Sequence, residues 1–331
     1  MSLLPPLKPT VEAALRDVHA KGRDFRLAAA VALGDAPDSK KDDARRGLLK
    51  LVQDSDPLVR RAALRSLGAY PGPDLLIDAE RAIGDPDPRV VDAAFELLGA
   101  IGEPALERLS AILSGGEASR RILAARALVE AAPELARDRF LALFPDAEDP
   151  TFSAALALAL GDLKETRAIP KLLDALRTPG LELRESAALA LADLGRAEGA
   201  TLLIARLERR EAIEETLLAL GKLKVPEAIP ALRAVASKRF SPGLRRSLAL
   251  GALAALGDEA SLESLRRGLR AFFPAKRAIT AHAIAAFRIQ ALRPDVEDAA
   301  KHRLPKALAQ SILEELDASA DSHQDASASM R

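Results

Sequence analysis

The chain contains no cysteine, no tryptophan and no asparagine, and it has a single tyrosine; aromatic residues make up only 3% of its 331 positions. Without thiols there can be no disulfides, thiolate metal ligands or cysteine nucleophile, so nothing in the composition calls for an oxidising compartment. No apolar run approaches the ~18 residues needed to span a bilayer. The start, MSLLPPLKPTVEAAL, lacks a basic segment followed by an apolar one, which leads to the expectation of a cytoplasmic protein. The four histidines, His19, His282, His302 and His323, lie far apart and lack the paired spacing of a zinc site. Gly-x-Ser-x-Gly elbows, phosphate loops and dinucleotide-binding turns are also missing. The expectation is a chain with no metal, no cofactor and no catalytic constellation readable from local motifs.

What the chain does have is apolar residues, 49% of the total, mostly Leu, Ala, Val and Ile, arranged with a period of about thirty. A small or short residue recurs at Gly34, Gly68, Gly99, Val129, Gly161, Ala192, Gly221, Ala254 and Ala285, with spacings of 34, 31, 30, 32, 31, 29, 33 and 31. A large aliphatic stands before each of these markers: Leu33, Leu67, Leu98, Leu128, Leu160, Leu191, Leu220, Leu253 or Ile284. Further Ala and Leu four and five positions upstream complete the stripe of an amphipathic helix. After each marker a short turn leads into a second helical segment, such as PDLLIDAERAI from Pro73, AIPKLLDAL from Ala168 or SLESLRRGL from Ser261. No segment alternates like a half-buried strand. Two helices per thirty residues cannot close a core alone, but stacked pairs bury a continuous one.

The succession DPLVRRAALRSLG, a turn, and a helix like ETRAIPKLLDAL resembles the short bacterial HEAT repeat of the phycobilin-lyase type. The resemblance implies an all-α, right-handed α-solenoid of about nine helix pairs over residues 10–316, with a short extension at 1–9 and a disordered polar tail at 317–331. It also implies that an Arg eight residues before each marker pairs with an acid of a neighbouring unit as a structural ladder. Arg26, Arg60, Arg121, Arg184, Arg246 and Arg277 occupy that position, whereas Val91, Ser153 and Ile213 interrupt it. HEAT-like repeats serve as scaffolds, as nucleic-acid-binding proteins including DNA glycosylases, and as bilin lyase subunits, so the fold by itself selects no function.

The doubled acids in DSDP and DPDP read as punctuation. Asp56-Pro57, Asp87-Pro88 and Asp149-Pro150 place an N-cap acceptor before a proline whose missing N–H had no helical partner. No calcium-loop ligands follow them. A net charge of zero hides an asymmetry: residues 222–306 carry 17 basic and 7 acidic side chains, whereas residues 1–221 carry 30 and 36. The loops preceding the marker helices run from DSDP and GDPDP to SKRFSPG and FFPAKR, from acidic to basic. Arg209, Arg210, Lys238, Arg239, Arg245 and Lys276 are therefore expected to form a docking edge for an anionic partner, a protein in the first instance and a nucleic acid as the alternative. Against the alternative stand the neutral balance and the absence of asparagine for reading adenine. Three residues before the marker, where other units carry charge, Leu158, Leu189 and Leu218 are expected to form an apolar strip for a partner helix. The functional expectation is a non-catalytic adaptor or scaffold that binds a protein through its inner helices or loop edge.

Overall fold

Helix after helix is what the repeated stripes produce in the computed structural model, which describes residues 9–146, 148–211, 213–238 and 243–328, with side chains as far as Asp317. Among the described residues there are no strands. The elements are α1 (Val11–Asp17), α2 (Arg23–Gly34), α3 (Lys41–Leu51), α4 (Pro57–Leu67), α5 (Leu76–Ile83), α6 (Pro88–Ile101), α7 (Leu106–Ser114), α8 (Ala118–Ala131), α9 (Pro133–Leu143) and α10 (Pro150–Asp162). They continue as α11 (Ile169–Ala175), α12 (Leu181–Asp193), α13 (Ala200–Glu208), α14 (Ile213–Leu223), α15 (Ile229–Ala236), α16 (Gly243–Ala255), α17 (Glu259–Leu269), α18 (Pro274–Ala286), α19 (Arg293–His302) and α20 (Lys306–Ala328). Two units divide between Leu156 and Ala157, within α10. The architecture is an all-α solenoid. None of the helices is long and apolar enough to cross a membrane, among the described residues.

The even-numbered helices α2 to α18 carry the nine markers, eight within the helix and Gly68 as the C-cap of α4. In the first unit α2, α4, α6 and α8 pack in succession, each flanked by odd-numbered partners; in the second, α12, α14, α16 and α18 do the same and α20 packs on α18 as a further even helix. The aliphatic before each marker explains the stacking. Leu33, Leu67, Leu98, Leu128, Leu160, Leu191, Leu220, Leu253 and Ile284 are all buried. Removing them from water, at about 25 cal/mol per Å² of apolar surface, supplies the main driving force for stacking. In the second unit the marker Gly221, and Gly251 three residues before the next marker, also need to be small. Phe287 fills a notch between α14 and α16, and a Cβ on Gly251 would stand 2.5 Å from its ring, with Gly221 under the same restriction.

Even helices of the second unit end on left-handed residues: Lys164 (φ 55°), Gly195 (73°), Lys224 (52°), Gly257 (87°) and Arg288 (49°). In four of the five the next amide bonds back to the pre-marker carbonyl, as Glu165 N–H does to Leu160 O at 3.0 Å and Ile289 N–H to Ile284 O at 3.1 Å. The closure is a Schellman turn. Lys and Arg take the position that glycine usually holds, and a cation there also suits the negative end of the helix dipole.

At the opposite ends of the first-unit helices the doubled acids divide their work. Asp56 accepts from the Leu58 amide at 2.8 Å and Asp87 from that of Arg89 at 2.9 Å, so the second acid of each pair is a helix cap. The first acid is a receptor for the preceding unit. Arg26 grips Asp54 with Nε at 2.6 Å and Nη2 at 2.9 Å; Arg60 grips Asp85 at 2.8 and 2.9 Å. The free Nη1 of each Arg donates to two carbonyls of its own loop, Ala20 and Lys21 or Asp54 and Ser55. Asp54 and Asp85 in turn accept the amides of Asp56 and Asp87 at 2.9 Å. Cap and rung are thus one connected motif. Arg121 repeats it with Asp146 at 2.7 Å, its Nε on Leu113 O at 3.0 Å and its guanidinium 3.7 Å from the centre of the Phe152 ring.

Both rung partners are largely shielded, with side-chain exposures of 15% for Arg60 and 12% for Asp85. Asp85→Ala is expected to cost about 2–3 kcal/mol, because it strands a half-buried guanidinium. Asp87→Ala removes a cap and a local pair with the exposed Arg89, at about 1 kcal/mol; urea unfolding of the two variants gives the ordering. The rungs also set the acid response. Partial burial pushes Asp54 and Asp85 up, but guanidinium and amide donors hold both below the usual carboxylate range, and the Arg89 side chain and amide bring Asp87 down to about 2. Carboxylates lowered on folding contribute stability above their unfolded values and lose it as pH falls through the folded ones. The thermal midpoint should therefore drop as pH falls from about 4 toward 2, and Asp85→Asn should flatten part of that drop. An equally steep drop in the variant would remove the rung as its source.

Candidate functional site

In the second unit the ladder loses its receptors. Twenty-five residues beyond Arg60 and Arg121 stand Asp85 and Asp146, but twenty-five beyond Arg184 stands Arg209. Two cations cannot pair, and Arg184 Nε is buried without a hydrogen-bond partner. The neighbouring Glu185 takes over instead, bonding Arg209 and lying 3.5 Å from Arg206. For Arg246 the following loop, AFFPAKR, has no carboxylate at all, and no ion pair forms among the described residues. Arg277 finds only carbonyls: Arg303 O and Ala271 O at 2.8 Å and Phe272 O at 2.7 Å. Of the six ladder residues, Arg26, Arg60 and Arg121 pair with an acid of the next unit; Arg184, Arg246 and Arg277 have no such pair among the described residues.

The same exchange redraws the expected docking edge. Arg209 is engaged by Glu185 and by Glu211 at 3.3 Å, and Arg245 by Glu214 of α14 at 2.5 Å. Both are committed within the fold, so they drop out as free docking cations. Arg239 lies outside the described residues. Arg210, Lys238 and Lys276 are exposed and have no ion pair among the described residues. Arg245 and Arg246 have in effect swapped roles, since the expected docking residue is paired and the expected rung is free.

The apolar strip is corrected as well. Leu189 is 4% exposed, and Leu158 and Leu218 are half-buried against the same core, so the side chains that replace charge here are packing residues. In the first unit this register carries Arg65 and Glu96, joined by two 2.7 Å bonds, and Arg126, which bonds Asp92.

What the structure does bring together is a cleft of about 660 Å³ between α16, α17 and the start of α18. Arg246, Arg267 and Lys276 line it with Ser247, Ser264 and Phe273, and none of its described lining residues is acidic. The nearby acids are spent elsewhere: Glu263 pairs with Arg266 at 2.8 Å, and Asp295 with Arg266 at 3.0 Å and Arg270 at 3.3 Å. Arg267 is left with the Ser264 hydroxyl at 3.3 Å. At the rim Phe272 and Phe273 stand edge to face, 5.4 Å apart, and are 88% and 68% exposed. Sequence reasoning missed Arg246, Arg267 and the two phenylalanines as site residues. The signal for Arg246 was present in the acid-free stretch AFFPAKR between α17 and the first turn of α18. Among the described residues no group of acids and histidines could hold a metal ion.

Four overlapping segments, residues 9–79, 47–129, 106–192 and 137–217, match the family model described as HEAT repeats. The chain belongs to the HEAT-repeat family. A comparison with curated protein sequences returns no match. Among solved structures, this HEAT solenoid is similar to the complex of CpcE and CpcF of phycocyanin lyase from Nostoc sp. PCC7120, with 22% identity, 64% of this chain and 94% of that one covered, and a TM-score of 0.45. It is also similar to YibA of E. coli, with 18% identity, coverages of 82% and 98%, and a TM-score of 0.49. Yeast importin-beta matches at 14% identity and a TM-score of 0.47; the alignment covers 92% of the HEAT chain and 51% of importin-beta.

Proposed function

We propose that this HEAT-repeat chain is a non-catalytic cytoplasmic scaffold whose second unit docks an anionic protein partner at the loop edge preceding α16 and α18. The observation that carries the reading is the concentration there of cations with no ion pair among the described residues, Lys238, Arg246, Arg267 and Lys276, beside two exposed phenylalanines, with Arg210 likewise unpaired in the loop before α14. In the first unit Arg26, Arg60 and Arg121 meet acids of the next repeat, so a cluster without counterions departs from that pattern. Exposed aromatic and Arg side chains are also the types enriched at protein interfaces. Steering by such a patch raises association rates and weakens with salt.

The test is affinity capture from native extract with the wild-type chain, with Arg210→Glu/Lys238→Glu/Lys276→Glu, and with Arg139→Glu as a control at an exposed site in the other unit. The account predicts a protein partner released by rising ionic strength, lost on the triple variant and kept by the control. A partner held equally by the triple variant, or recovery of nucleic acid alone, contradicts it.

A further inference from the structure

We infer that the cleft between α16, α17 and α18 is a phosphoryl-binding site, so that the partner is recognised through a phosphorylated side chain. This deepens the docking reading and rests on it. Three positive charges, Arg246, Arg267 and Lys276, line one cleft of about 660 Å³ with no acid among its described lining residues. A carboxylate would bring one charge and two acceptor oxygens. A phosphomonoester brings about −1.5 to −2 charges and three strong acceptors at neutral pH, which suits three cationic donors far better. Ser247 and Ser264 add hydroxyls to the same lining, and Ser264 already steadies Arg267 at 3.3 Å. Recognition of phosphorylated motifs by arginine clusters needs this combination of unspent guanidinium groups and a bounded cleft.

Three features of the fold keep the cleft in this state. AFFPAKR, between α17 and the first turn of α18, offers Arg246 no carboxylate. Arg266 and Arg270, one residue before and three after Arg267, absorb Glu263 and Asp295. The floor is rigid because α17 and α18 approach closely: a Cβ on Gly268 would lie 2.5 Å from Thr280 Oγ1, and that hydroxyl donates to Lys276 O at 2.8 Å. The Lys276 backbone is thereby fixed while its ammonium stays exposed. Phe272 and Phe273 stand at the rim, where an apolar side chain flanking the phosphorylated residue would rest. A phosphopeptide is favoured over a nucleic-acid backbone because the cations converge on one cleft, whereas a strand of diesters is met by an extended track.

The experiment uses the full chain on an array of serine-centred peptides, each made with phosphoserine, serine and glutamate, followed by anisotropy titration of the best binders. The expected result is binding of phosphoserine forms at least tenfold tighter than either counterpart. Arg246→Gln/Arg267→Gln should abolish that preference with an unchanged melting temperature, since neither side chain has an ion pair among the described residues. Arg210→Glu/Lys238→Glu should weaken phosphorylated and unphosphorylated peptides alike. Equal binding of the glutamate and phosphoserine forms, or an unaltered preference in the cleft double variant, overturns the phosphoryl site while the docking edge stands. Displacement of the peptides by a random-sequence DNA oligonucleotide of higher affinity overturns it in favour of nucleic acid. Failure of every anionic peptide to bind removes both readings.

Discussion

Stacked helix pairs place the start of one even helix against the loop before the next, and at the starts of α2, α4 and α8 this sets loop carbonyls beside a largely shielded guanidinium, that of Arg26, Arg60 or Arg121. That arrangement is stable only if the guanidinium finds acceptors. In the first unit Asp54, Asp85 and Asp146 meet the requirement, and the second acid of each motif caps the helix that follows. A single short stretch, Asp-x-Asp-Pro or its longer form in DAEDP, thus joins two repeats and starts a third element. The apolar core supplies most of the energy, but an aliphatic stripe tolerates sliding between neighbouring helices. Bidentate pairs do not, so the rungs fix register.

The second unit keeps the core and gives up the rungs. Its registry comes from shape: Phe287 lodged against Gly221 and Gly251, and Gly268 pressed on Thr280. With helix positions set by small residues and an aromatic wedge, arginines at the old ladder positions are released from structural duty. Arg184 is the costly case, an orphaned buried Nε beside a reorganised Glu185–Arg209 pair. Arg246 is the productive one, because its head group is turned out into a cleft where no acid competes for it.

Much of the fold was legible in the sequence because it rests on periodicity. Nine pre-marker aliphatics predicted nine buried positions, and Asp56-Pro57 and Asp87-Pro88 predicted helix starts, since both signals are local. The ladder was legible only where its receptor lay at the same offset. Arg60 and Arg121 carry an acid 25 residues on and Arg26 one 28 residues on; 25 beyond Arg184 stands Arg209, which engages the nearby Glu211, and no acid stands 25 to 28 residues beyond Arg246, so attention to that second position would have separated them. The docking edge was harder to read: nothing local says that Arg245 reaches back to Glu214 or that Arg209 turns to Glu185. Leu189 misled for a related reason. Position three before the marker carries charge on α4, α6 and α8, but Leu158, Leu189 and Leu218 at that position pack into or against the core of the second unit, and a register read from one set of helices does not transfer.

The central claim is that residues at one register position have opposite fates, locked in a rung at Arg60 and Arg121 and unspent at Arg246. Phenylglyoxal labelling of the native chain, followed site by site by mass spectrometry, tests this directly. The account predicts that Arg246 and Arg267 are modified many times faster than Arg26, Arg60 and Arg121. Protection of Arg246 equal to that of Arg60 would contradict it, because the cleft would then have a counterion of its own.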